Sequence, residues 1–99
     1  MKTMNRNLKK MAYYDSLTEA YNMYHFKELA REAGNLSYAI AVVNVRQFKF
    51  INEIFGKEQA DHLLQYIARK LQEVVGEGEF FCRESADSFY VFLRPESKD

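Results

Sequence analysis

Between Lys57 and Val75 the apolar residues Ala60, Leu63, Leu64, Ile67, Ala68, Leu71, Val74 and Val75 recur at spacings of three and four. That is the period of an α-helix with one apolar stripe. His62, Gln65, Lys70 and Glu73 fall off the stripe. A helix with a single apolar face must lie on another layer, so the rest of the chain has to supply one. The β-like runs are the candidates. Tyr38-Ala39-Ile40-Ala41-Val42-Val43-Asn44-Val45 is almost continuously apolar, as a strand covered on both faces would be. Phe80-Phe81-Cys82 and Tyr90-Val91-Phe92-Leu93 flank Arg83-Glu84-Ser85-Ala86-Asp87-Ser88-Phe89. Two short apolar runs around small, turn-forming residues read as a hairpin, and its tip carries one acid, Asp87.

Shorter signals fill the remainder. Asp15 and Thr18 have side chains that cap helices or fold turns. Tyr21, Phe26, Leu29 and Ala30 predict a helix ending near Gly34 and Asn35. Phe48, Ile51 and Phe55 predict another, starting near Arg46 or Gln47 and ended by Gly56. Gly76 is expected to end the long helix, and with Gly78 it brackets a turn. Met4, Leu8, Met11 and Ala12 have helical spacing, and Pro95 stops the last strand. The expected order is helix, helix, strand, two helices, strand, strand, an α/β (α+β) layered arrangement. The boundaries read as a leading helix or linker over 1–14, one domain over 15–95 and a tail over 96–99.

Composition removes several function classes. Fourteen Lys and Arg balance fourteen Asp and Glu, whereas a general nucleic-acid binder carries a basic surplus. The single cysteine, Cys82, excludes an intrachain disulfide and reads as a small core residue rather than a nucleophile. His25 and His62 lack ligand spacing. No run is long and apolar enough to span a bilayer, and the polar, basic opening does not read as a signal peptide. A reducing, cytoplasmic setting is the expectation.

Four separated segments together resemble one family. Asp15-Ser16-Leu17-Thr18-Glu19-Ala20-Tyr21-Asn22-Met23-Tyr24-His25-Phe26 resembles D-x-L-T-G-L-x-N-R-x-x-F, and Asn44-Val45-Arg46-Gln47-Phe48-Lys49-Phe50-Ile51-Asn52-Glu53 resembles D-x-D-x-F-K-x-I-N-D. Gly56-Lys57-Glu58-Gln59-Ala60-Asp61-His62-Leu63-Leu64 resembles G-H-x-x-G-D-x-x-L, and Arg83–Phe89 resembles R-x-G-G-D-E-F. These are the motifs, in order, of the GGDEF domain, the diguanylate cyclase module of bacterial signalling. The resemblance implies a palm-type sheet with flanking helices, like that of polymerases and class III nucleotide cyclases. In the family, two GTP molecules become cyclic di-GMP across a dimer of domains. That phosphoryl transfer needs metal ions, hence carboxylates, and glycines that let backbone approach a phosphate.

The match is degenerate where the chemistry lies. The family's metal-binding Asp at the end of the first strand is Asn44, and the second acid of that pattern is Arg46. The two signature glycines are Ser85 and Ala86. The signature's metal-binding acid is kept as Asp87, its neighbouring catalytic acid is Ser88, and its aromatic is Phe89. Asn44 and Asp87 are then vestigial metal positions, and one carboxylate beside an arginine is a poor two-metal site. The guanine-reading positions are kept as Asn52 and Asp61, an amide and a carboxylate suited to a guanine edge. At the product-inhibition motif R-x-x-D the matching residues are Gly76 and Glu79, so its arginine is missing.

The resemblance implies a catalytically inactive GGDEF-like module, its sheet cut short after the signature hairpin. It would be a regulatory or protein-interaction part of a bacterial cyclic di-GMP signalling protein. Two alternatives stand beside it: a GTP-binding sensor without turnover, acting through Asn52 and Asp61, and a residual diguanylate cyclase. No cofactor is expected, with Mg²⁺ only where GTP binds. The expected partners are other domains of a longer protein, a protein partner, or a second copy that covers the shortened sheet. Neither nucleic acid nor direct membrane contact is expected. The chain would be cytoplasmic, or the cytoplasmic part of a membrane-anchored receptor.

Overall fold

The computed structural model describes residues 12–34 and 37–95. Most of the leading segment 1–14 and the whole tail 96–99 lie outside the described residues, as does Asn35. Within them the order is β1 (Tyr21–Asn22), α1 (Met23–Ala33), β2 (Ala39–Asn44), α2 (Phe48–Phe55), α3 (Lys57–Val74), β3 (Phe80–Ser85) and β4 (Ser88–Leu93). The strands form one sheet in the order β1-β3-β4-β2. β1 runs parallel to β3, and the β3/β4 and β2/β4 pairs are antiparallel. The expected mixed α/β layering is present.

Alternation along the strands builds two cores. On one face Phe81, Phe89 and Val91, with Ala41 and Val43 beside them, meet Leu64 and Ala68 of α3. On the other, Phe80, Cys82, Tyr90 and Phe92 meet Phe26 of α1. Phe80 stacks on Phe92 with centroids 4.4 Å apart, and Phe26 meets Phe80 edge-on at 5.2 Å. β4 is hydrogen-bonded on both sides and carries residues of both cores, so it is the centre of the molecule.

Chemistry at the chain's corners sets the helix ends. The Asn22 side chain accepts the His25 N–H at 2.9 Å and so caps α1. Gly34, at φ +65°, closes the same helix with its N–H on the Arg31 carbonyl. Gly56, at φ +90°, both ends α2 and begins α3, a change of direction that a Cβ would strain.

Several expectations needed correction. Tyr21 is not helical: it lies in β1, a two-residue strand too short to leave a periodic signal. β2 is not covered on both faces. Among the described residues it is the last strand of the sheet, and its Ile40 and Val42, with Tyr38 just before it, are exposed. Val74, counted in the α3 stripe, is 71% exposed, while Leu71 and Val75 are the residues at this end that pack against the core. The long helix is not ended by Gly76: it stops at Val74, where Val75 turns extended. The hairpin strands run further than their apolar residues, through Ser85 and from Ser88, so only Ala86 and Asp87 form the turn.

The opening loop holds a testable strain. Glu19 sits at φ +64° where the resembling motif has glycine. A residue with a Cβ loses roughly 1–2 kcal/mol in that region. Glu19→Gly should therefore raise stability by about 1 kcal/mol in urea unfolding, after the added freedom of the unfolded chain is subtracted. Glu19→Ala keeps the Cβ and should bring no gain.

Candidate functional site

Arg83 organises the signature turn. Its Nη1 reaches both carboxylate oxygens of Asp15, at 3.1 and 3.3 Å. Its Nε donates to the Ser85 carbonyl at 3.2 Å and its Nη2 to the Ala86 carbonyl at 3.0 Å. One guanidinium thus ties the turn to a loop 68 residues earlier in the chain. Asp15 is itself fixed: one carboxylate oxygen accepts the Thr18 N–H at 2.8 Å and the Thr18 hydroxyl at 2.9 Å. The Thr18 Oγ1 accepts the Ala20 N–H at 3.2 Å. No local pattern in the sequence marks the partner of Arg83. The partner is the first residue of the opening motif, and that shared motif is the signal that identifies it.

The turn itself departs from what loss of the glycines suggests. Among the described non-glycine residues positive φ occurs only at Glu19 and Gln47, so Ser85 and Ala86 sit without that strain. The register shifts between Arg83 and Ser85, and this irregularity takes up the geometry that glycines would otherwise have to supply. The cost lies elsewhere. Each carries a Cβ where the family's backbone would approach a phosphate.

The β2/β4 ladder brings Asn44 beside Ser88, next to Asp87 of the turn. Asn44 lies opposite Ser88 in the ladder, and its Nδ2 donates to Ser88 Oγ at 2.6 Å. Ser88 Oγ in turn reaches Asp87 Oδ1 at 3.4 Å, and the Asp87 carbonyl accepts the Val45 N–H at 2.9 Å. Arg46 follows, exposed, and Gln47 holds left-handed φ and ψ of 55° and 39° at the start of α2. Phe89 is fully buried in the core under α3, so it holds the hairpin rather than a ligand.

The donor set does not fit a pair of divalent ions. An amide directs an N–H at a hydroxyl, one carboxylate stands beside them, and a guanidinium bears the next charge. Divalent cations of this kind want several anionic oxygens. Among the described residues no three His, Cys, Asp or Glu side chains gather into a cluster that could hold a metal.

Asn52 and Asp61 lie on either side of the Gly56 corner, in α2 and α3. The Asn52 carbonyl accepts the Gly56 N–H at 2.9 Å. The Asp61 carboxylate pairs with the exposed Lys57 ammonium at 3.3 Å, one helical turn earlier. Glu79, at the product-inhibition position, is buried. Its two oxygens accept the Gly76 and Arg94 N–H groups, each at 2.9 Å, which makes it a clamp between the turn and the end of β4. Burial pushes the Cys82 thiol up to about 11, which fits a core residue and not a nucleophile.

Two expected outcomes follow from this geometry. Burial pushes the Asp15 carboxyl up, but the Thr18 N–H and hydroxyl and the Arg83 guanidinium outweigh it and hold the group below its ordinary 3.8. A depressed folded value means stability that is present above about pH 4 and lost as pH falls through the folded value. Asp15→Asn should flatten that acid limb, and Arg83→Ala should cost about 1–3 kcal/mol at pH 7, both read by urea unfolding. Since the Asn44–Ser88 pair satisfies itself, melting temperature should be unchanged by millimolar Mg²⁺ or by a chelator. A rise with Mg²⁺ would contradict this account of the site.

Comparison with known proteins agrees with this arrangement. Residues 12–99 match the family model described as "Diguanylate cyclase, GGDEF domain". The chain is 32% identical over 94 residues to the signaling protein YkoW of Bacillus subtilis, covering 89% of this chain and 12% of YkoW. It is 31% identical over 92 residues to the cyclic di-GMP phosphodiesterase PdeB of Shewanella oneidensis, covering 91% of this chain and 11% of PdeB. The chain therefore spans about an eighth of the length of these relatives. The coiled coil and GGDEF domain of DgcB from Caulobacter crescentus, solved with c-di-GMP, superposes with a TM-score of 0.80 at 26% identity. That match covers 93% of this chain and 51% of the DgcB chain.

Proposed function

This chain belongs to the GGDEF domain family, and we propose that within it the chain is a module without cyclase chemistry, serving a cyclic di-GMP signalling protein by regulation or protein contact. The observation that carries this reading is the hydrogen bond from Asn44 to Ser88. It occupies the place where the family's reaction requires carboxylates around metal ions. Metal-assisted phosphoryl transfer depends on anionic ligands to hold the cations that neutralise phosphate charge. A neutral amide–hydroxyl pair does not provide them, and Arg46 adds a positive charge of its own. The phosphodiesterase name of PdeB, a relative that is far longer than this chain, supports a place within a larger signalling polypeptide.

A second reading, a GTP sensor without turnover, draws on Asn52 and Asp61 standing at one helix corner. The Lys57 ammonium on Asp61 weighs against a carboxylate poised for a guanine edge. The ion pair is exposed on the lysine side, however, and such pairs contribute little.

The test is chemical. The purified chain with GTP and Mg²⁺ or Mn²⁺ should form no cyclic di-GMP, and product above a no-protein control would overturn the reading. Calorimetric titration with GTP and Mg²⁺, then with cyclic di-GMP, should release no binding heat. Heat with GTP that Asn52→Ala or Asp61→Ala removes would instead establish the sensor.

A further inference from the structure

Ala12, Tyr13 and Tyr14, the entry segment of the domain, lie at the β1 end of the sheet, away from β2. Their anchor is Asn22, whose side-chain amide works in two directions. Its Oδ1 accepts the His25 N–H at 2.9 Å and caps α1, while its Nδ2 donates to the Ala12 carbonyl at 3.0 Å. The backbone of Asn22 makes a third contact, since it pairs with Arg83 in the parallel β1/β3 ladder. One residue thus joins the entry segment, the first turn of α1 and the strand that leads into the signature turn.

Aromatic contacts close this joint. The His25 ring lies between Tyr13 and Tyr21, with centroids 4.7 and 4.6 Å away, and it meets Tyr21 edge-on. Its side chain is held at 22% exposure, with Nδ1 3.5 Å from Glu28 Oε1. Tyr14 bridges Tyr21 as a short antiparallel pair, and their rings lie 5.6 Å apart. The next residue is Asp15. Its N–H donates to the Ala20 carbonyl at 2.7 Å, and its carboxylate receives Arg83. Two lines therefore run from the entry segment to the Arg83 guanidinium. One follows the chain through Asp15, and the other passes through Asn22 and the ladder. The Ser85 and Ala86 carbonyls of the signature turn are bonded to that same guanidinium.

We propose that Asn22 is a positioning residue that couples the seating of Ala12–Tyr14 to the signature turn. Releasing the segment loosens the Arg83 contacts, and releasing Arg83 unseats the segment, because a coupling between two sites acts equally in both directions. The two states differ at named contacts. In the seated state Ala12 is bonded to Asn22 and Tyr13 packs on His25. In the released state Asn22 still caps α1 through Oδ1 but has lost its second bond. Under the regulatory reading above, on which its use rests, this joint is where an input reaches the hairpin. The coupling itself needs only these contacts.

Asn22→Asp separates the two side-chain bonds, because a carboxylate caps a helix as an amide does but offers no N–H to the Ala12 carbonyl. Hydrogen exchange of the full chain, followed by NMR, reads the result. In Asn22→Asp the Asp15 amide and the Arg83 Nε–H should exchange roughly tenfold faster. The His25 ring resonances should shift as Tyr13 leaves, while amides of the β3/β4 ladder keep their rates. From the other end, Arg83→Lys should shift the same His25 resonances. Asn22→Ser, which also caps, repeats the first measurement if the aspartate disturbs the fold. Unchanged exchange at Asp15 and Arg83 in a variant that has lost the Tyr13–His25 contact would overturn the proposal. So would a segment that stays seated in both Asn22 variants, or an equal acceleration of all ladder amides, which is general loss of stability. No nucleotide takes part, so failure here is distinct from failure of the reading without cyclase chemistry, which the cyclic di-GMP assay decides.

Discussion

The Arg83 guanidinium is the contact on which the shape of the hairpin end depends. It reaches two carbonyls of its own turn and the carboxylate of Asp15, and Asp15 is held in turn by Thr18. Without a cation there, the Ser85 and Ala86 carbonyls would lose their donor, and the turn would lose its tie to the loop that precedes β1. The pair is largely withdrawn from solvent, and such a pair is costly to break from one side. Arg83 therefore has a structural role of its own at the hairpin end. Its work is mechanical and does not need a nucleotide.

Much of this was legible in the sequence, and the reasons are physical. α3 was readable because its stripe is long and regular, and the hairpin because its apolar runs are separated by turn-forming residues. The family resemblance, confirmed over residues 12–99, came from motif residues in order. The unreadable parts depend on partners far along the chain. The near-continuous apolar run of β2 looks the same whether both faces are covered or one lies open, because local sequence does not say which strand becomes the edge. β1 is two residues long and owes its existence to pairing with Cys82 and Arg83. The Arg83–Asp15 pair spans 68 residues and leaves no local pattern.

The site teaches a related lesson. Ser85 and Ala86 stand where the resembling motif has two glycines, yet neither takes positive φ, and the register shifts just before the turn. Strain is found instead at Glu19 and Gln47. Gln47 opens α2 three residues after Asn44 with left-handed backbone angles, a conformation that a residue with a Cβ adopts at some cost. The left-handed Gln47 thus gives this end of the sheet its backbone shape, whatever side chains surround it.

The change at positions 44 and 88 can be argued one step further. These residues face each other across the β2/β4 ladder. Two carboxylates placed there would repel, since like charges directly opposite destabilise a sheet, and a bound cation would be needed to reconcile them. A single loss would leave one carboxylate with an amide or a hydroxyl beside it and still ask for a compensating charge. Replacing both together with Asn and Ser removes the repulsion and supplies a donor and an acceptor that satisfy each other at 2.6 Å. The sheet end then closes without metal. Asn and Ser at these two positions thus form a matched pair, and the hydrogen bonds of this sheet end are internal to the chain.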